Sequence, residues 1–285
     1  MNINISPVIQ ASELIELYKY ENLVIVDVSN GKEAKSNYHA KHLDGAIFID
    51  LNTQLAEIKD DLSIGGRHPL PSIKNFAQTL SNVGISEDSH VVIYDDNNGS
   101  NAAARFWWML KSIGHEQVQV LNGGFKEAEK VNFPINSKVE VINKSELYKV
   151  DNWQLKLSSI DEVETFSKNE NYIVIDVRDS ERYNGQFEPI DLVAGHIPGA
   201  INIPFLENLD KNGLFLSPEE LKTKYENVFG DIKSENIIFH CGSGVTACHS
   251  LLAIAYAGLE IPKLYVGSWS EWSRNNKKIQ TKNPF

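Results

Sequence analysis

Only two cysteines, Cys241 and Cys248, occur in 285 residues, so no disulfide framework holds this chain. Their spacing matches no Cys-x-x-Cys redox pair. No cluster of His and Cys has the spacing of a zinc site, and neither a metal nor another cofactor is expected. Basic charge is scarce as well, with 27 Lys+Arg against 38 Asp+Glu and a formal net charge of -11. That balance argues against a nucleic-acid surface, and no basic amphipathic stretch offers a membrane footprint. Uninterrupted apolar runs stay well short of the roughly 18 residues a membrane helix needs. The N-terminal stretch Met1–Ser6 lacks a basic region leading into an apolar one. These absences point to a cytoplasmic protein that acts on small molecules, without nucleic-acid or membrane partners.

What the chain does have is repetition. Leu23-Val24-Ile25-Val26-Asp27-Val28 returns as Tyr172-Ile173-Val174-Ile175-Asp176-Val177, and His42-Leu43-Asp44-Gly45-Ala46-Ile47 returns as His196-Ile197-Pro198-Gly199-Ala200-Ile201. Val91-Val92-Ile93-Tyr94-Asp95 is likewise answered by Ile237-Ile238-Phe239-His240-Cys241. Short apolar runs of this kind read as buried parallel strands, and they alternate with helical patterns such as Ser72 to Val83 and Pro218 to Val228. The expected architecture is α/β, a tandem duplication in which each copy is a parallel-stranded sheet flanked by helices. Residues 1–135 form the first expected domain, the polar stretch 136–154 a linker, and 155–285 the second domain.

One copy carries chemistry that the other cannot. In Cys241-Gly242-Ser243-Gly244-Val245-Thr246-Ala247 a cysteine ends a strand and a Gly-punctuated turn opens into a helix over Cys248 to Ala257. Unpaired amides and the positive end of the helix dipole converge there, which favours a nucleophilic thiolate. Gly242 and Gly244 are expected to supply the positive φ that lets the backbone curl round the sulfur. In the first copy the cysteine's place is held by Asp95, and a carboxylate cannot do thiol chemistry. Cys248 reads as a core residue of the helix, Trp107 and Trp108 as core, and His42 and His196 as turn histidines.

These residues resemble the two-domain rhodanese-type sulfurtransferases over essentially the whole chain, and the loop looks most like their 3-mercaptopyruvate branch. The resemblance rests on the Cys241 loop, on Gly195-His196-Ile197-Pro198-Gly199-Ala200, on Asp176-Val177-Arg178 with Arg182-Tyr183, and on Gly267-Ser268-Trp269-Ser270-Glu271-Trp272. It implies a ping-pong reaction in which Cys241 takes a sulfane sulfur from a small-molecule donor, becomes a persulfide and passes the sulfur to cyanide or a thiol, such as thioredoxin or a low-molecular-weight thiol. It further implies a triad-like set of Ser243, His68 and Asp50, the last two supplied by the first domain to a site between the halves. Arg182 matches the substrate-anion arginine, and Gly242, Gly244, Val245 and Thr246 line the sulfur. A histidine suits the protonation of the enolate left when the C–S bond breaks.

One departure stands out. The mercaptopyruvate branch carries a second arginine after Glu-Pro, but this chain reads Phe187-Glu188-Pro189-Ile190. Thiosulfate:cyanide sulfurtransfer is therefore the alternative reaction, and a non-catalytic binding module is the alternative from another class. A cysteine phosphatase needs an arginine six positions after the cysteine to fork onto phosphate, and Ala247 stands there.

Overall fold

A computed structural model describes residues 5–282, so the first four residues of the N-terminal stretch and the last three of the chain lie outside the described residues. The chain divides into two compact units that interleave in sequence. The first comprises the chain to Ala56, Pro71–Gln154 and Lys211–Phe215. The second comprises Glu57–Leu70, Leu155–Asp210 and Leu216 onward. The expected division into contiguous stretches therefore differs from the observed one in three places, one of them being Lys211–Phe215, which falls in the first unit instead of the second. Residues 57–70 leave the first half to pack in the second unit, and 136–154 pack with the first, where Ser145 N and Tyr148 N donate to Ser81.

The first unit holds a five-stranded parallel sheet in the spatial order Val8–Ile9, Val118–Leu121, His90–Tyr94, Leu23–Asp27, Ile47–Phe48. In the second unit the order is Lys263–Leu264, Ile237–His240, Ile173–Asp176, Ile201–Asn202, again all parallel. A parallel bridge from Leu157 to Leu264 occupies the edge that Val8–Ile9 occupies in the first sheet. The apolar runs read as strands are strands, and Val118–Leu121 and Ile237–His240 are buried along their whole length, as parallel strands covered on both faces are. Helices begin where their caps stand: Ser72 accepts from Asn75 N before Ile73–Asn82, and Ser217 with Glu220 forms a capping box before Pro218–Phe229. In the helix Ala102–Ser112 every residue but Lys111 is buried, Trp107 and Trp108 included. Each such ring contributes on the order of 1.5–3 kcal/mol by leaving water.

The repetition extends to side chains. His42 Nδ1 lies 2.7 Å from Tyr38 O with the two rings stacked, and His196 Nδ1 lies 2.7 Å from Tyr183 O, also stacked. Tyr38 and Tyr183 in turn donate to Ala46 O and Ala200 O, tying each turn to its strand. Both histidines are therefore turn supports, as read from the sequence.

Candidate active site

Cys241 follows the strand Ile237–His240 and is 3% exposed at the head of the loop leading into the helix Ala247–Tyr256. The loop is pinned from one side. Trp269 N donates to Cys241 O at 3.0 Å, Ser270 N to Gly242 O at 2.8 Å, and Cys241 N to Ser268 Oγ at 3.2 Å. Val245 is buried, and Thr246 precedes the helix with helical backbone angles. Cys248 is fully buried and its thiol donates to Gly244 O at 3.3 Å, so it braces the loop from the core as expected.

The two loop glycines do different things. Gly244 has φ +72°, and a Cβ there would stand 2.5 Å from Val266 O. Gly242 does not adopt positive φ, which corrects the expectation that both glycines serve the curl. Its missing side chain instead leaves room for two guanidinium groups, since a Cβ would lie 3.0 Å from Arg67 Nη2 and 3.4 Å from Arg182 Nη2.

His68 and Ser243 meet: His68 Nδ1 is 2.8 Å from Ser243 Oγ, and Ser243 is itself buried. The segment that carries His68 belongs to the second unit, so the pair forms within one unit instead of by donation from the first domain. Ser270 Oγ accepts from Arg67 N at 3.0 Å and Glu271 from Gly65 N at 2.8 Å, which fixes this excursion. Asp50 has a different occupation. Its Oδ1 accepts from Asn52 N, Thr53 N and Thr53 Oγ1, making it the N-cap of Leu51–Gln54 in the first unit.

Arg182 is held in a fork by Glu188, with Nε–Oε2 3.0 Å and Nη2–Oε1 2.8 Å, and Nη2 also reaches Asp191 at 3.5 Å. Burial raises the Glu188 carboxyl, but its hydrogen bond from Arg182 and the amides of Asp191 and Ile190 outweigh this and hold it below the usual range. Ile190 is exposed. Trp269 and Trp272 are buried and donate to Val193 O and Lys278 O, so they pack instead of forming a rim.

The copies also differ in how they hold charge at equivalent positions. Asp176 is fully buried, yet the Arg178 guanidinium, 2.6 Å away, overcomes the burial penalty and keeps its carboxyl low. Its counterpart Asp27 faces Ser29 where Arg178 would be, and there burial wins and raises the carboxyl. At the strand end of the first copy, Asp95 accepts from the amides of Asn97, Gly99, Asn101 and Ala103 at 2.8–3.2 Å. The ring of loop amides is filled there by the protein's own carboxylate. The equivalent loop of the second copy presents a thiol.

The rhodanese-like domain model matches residues 10–130 and again 159–275. The chain belongs to the rhodanese family. This rhodanese is 36% identical to the probable 3-mercaptopyruvate sulfurtransferase of Pseudomonas aeruginosa, over 82% of either chain. It is 38% identical to the thiosulfate sulfurtransferase of Mus musculus, over 85% of this chain and 81% of that one. Among solved structures, the 3-mercaptopyruvate sulfurtransferase from Leishmania major matches with a TM-score of 0.82 at 28% identity, covering 96% of this rhodanese and 76% of that protein. Such relatives make this rhodanese a sulfurtransferase enzyme, with a sulfur donor and an acceptor. No helix among the described residues is long and apolar enough to cross a membrane.

Proposed function

We propose that this rhodanese takes sulfur from 3-mercaptopyruvate onto Cys241 and hands it to a thiol such as thioredoxin or a low-molecular-weight thiol. The observation that carries the choice of donor is the 2.8 Å contact between His68 Nδ1 and Ser243 Oγ, two residues beyond the cysteine. The Cys241 thiolate attacks the donor sulfur and an S–S bond forms. The C–S bond breaks with its electron pair left on carbon as the enolate of pyruvate, and the enolate takes a proton through the Ser243–His68 pair. An acceptor thiolate then attacks the outer sulfur of the persulfide and releases Cys241 as thiolate. No net oxidation occurs. Thiosulfate carries no carbon leaving group and needs no such proton, which is why the pair discriminates between donors.

Asp50 acts in this reading as a helix cap. Both cysteines are free thiols, in keeping with a reducing, cytoplasmic setting. Steady-state turnover of Ser243→Ala and His68→Asn with both donors tests the assignment. Each variant should lose about a hundredfold in kcat with 3-mercaptopyruvate and less than threefold with thiosulfate. Equal losses with the two donors, or a wild-type kcat/KM larger for thiosulfate, would assign the enzyme to thiosulfate.

A further inference from the structure

In the second copy the Arg178 guanidinium has three partners. Its Nε and Nη2 donate to Asp176 at 2.6–3.1 Å, Nη2 also donates to Gly195 O at 2.7 Å, and the group lies 4.5 Å over the Trp269 ring. Alignment of the repeats puts Asp27, Lys41 and Phe125 of the first copy at the positions of these partners, and Ser29 at the position of Arg178 itself. All four line one cavity of about 330 Å³ within the first unit. We propose that this cavity binds a small organic guanidinium ion, which pairs with Asp27 and stacks on Phe125 as Arg178 does with Asp176 and Trp269.

Asp27 ends the strand Leu23–Asp27, is 4% exposed, and accepts from Ser29 N at 2.8 Å. No cation pairs with it among the described residues, so burial raises its carboxyl where Arg178 keeps that of Asp176 low. A bound cation supplies the missing counter-charge. Asp95, which also lines the cavity, is already occupied by its four loop amides, which leaves Asp27 as the acceptor. Aromatic rings form much of the remaining wall. Tyr94 is buried with its ring centroid 6.2 Å from that of Phe125, and Tyr38 is fixed by its stack on His42 and its bond to Ala46 O. Ring faces beside one buried carboxylate suit a weakly hydrated organic cation, whereas calcium or magnesium would need six or more oxygen ligands. Lys41 Nζ stands 5.1 Å over the Phe125 ring, so that face already accepts a cation, but its ion pair is with Glu129 and not with Asp27. Lys41, Asp96 and Lys126 are exposed, which sets the mouth of the cavity at the surface.

The test is isothermal titration of the full-length protein with butylguanidinium and with butylurea, which keeps the planar shape without the charge. Butylguanidinium should bind once per chain, and butylurea at least tenfold more weakly. Asp27→Asn and Phe125→Leu should each weaken butylguanidinium at least tenfold. Ser29→Arg gives the first copy the guanidinium that the second copy has, so it should abolish binding and raise Tm; this variant decides the matter if Asp27→Asn does not fold. Lys41→Met should bind at least as tightly as the wild type, because a competing cation is gone. Cys241→Ser should keep the wild-type Kd, and Ser29→Arg should keep sulfur-transfer kcat within twofold, since the cavity is not the thiol site. No binding of butylguanidinium at about 10 mM, equal affinity for butylurea, or a wild-type Kd in Ser29→Arg would overturn the proposal. Weaker binding in Lys41→Met, or binding lost in Cys241→Ser, would overturn it as well.

Discussion

Replacing either loop glycine by alanine adds the same methyl group, and the structure assigns the two changes opposite consequences. At position 244 the backbone sits at φ +72°, where a Cβ costs about 1–2 kcal/mol. The methyl would also stand 2.5 Å from Val266 O and 2.8 Å from Val266 Cα, which are backbone atoms of the chain beside Gly267 and cannot swing aside. With overpacking of about 1–3 kcal/mol added, Gly244→Ala should cost roughly 3 kcal/mol and lower Tm by about 10 °C. At position 242 the backbone suits any residue, and the nearest atoms are the ends of two flexible side chains, Arg67 Nη2 at 3.0 Å and Arg182 Nη2 at 3.4 Å. Gly242→Ala should hold Tm within about 2 °C, helped by the lower entropy of the unfolded chain. Its displaced guanidinium tips should raise donor KM about three- to tenfold with kcat little changed. Differential scanning fluorimetry and steady-state kinetics on the two variants read both effects. Equal thermal losses, or a Gly242→Ala defect in kcat with KM unchanged, would refute the reasoning.

Cys241→Ser should abolish turnover while Cys248→Ser keeps it, and intact-mass spectrometry after donor treatment should find one added sulfur only where Cys241 is present. Asp50→Asn keeps the cap and should match the wild type in both stability and kcat, whereas Asp50→Ala should lose about 1 kcal/mol; a collapse of kcat in Asp50→Asn would restore Asp50 to the proton relay. His240 is fully buried, and burial holds it below the 6.5 of an unfolded chain. Above pH 6.5 neither state binds the proton; below it only the unfolded chain does, so stability should fall by up to about 1.4 kcal/mol per pH unit until the folded group titrates. His240→Gln should flatten that acid limb in urea unfolding measured between pH 5 and 7. Residues 155–285 expressed alone lack His68 with the segment that holds it, and should turn over 3-mercaptopyruvate at least a hundredfold more slowly than the full chain; an equal rate would contradict the role given to His68.

Much of this molecule was legible along the chain because its signals are local. The apolar runs at Leu23, Val91, Tyr172 and Ile237 form strands by their own composition, and Ser72 and Ser217 start helices through amides three residues away. The exchange of Cys241 for Asp95 is a comparison of sequence with itself. Even the Asp50 cap has a local signal, an aspartate immediately before Leu51-Asn52-Thr53-Gln54, which the resemblance to a triad obscured. Gly242 had no such signal, since a glycine needed for positive φ and one needed for a neighbour's approach look alike in one dimension. Only the tertiary structure sends residues 57–70 into the second unit, where Gly65, Arg67 and His68 meet Glu271, Ser270 and Ser243 more than 170 residues away. It alone joins Arg67 to Arg182 through a buried Asp191. Periodicity and capping act over a few residues of backbone. A buried carboxylate gathers whichever guanidinium groups the folded chain brings within reach, and no spacing in the sequence records which they are.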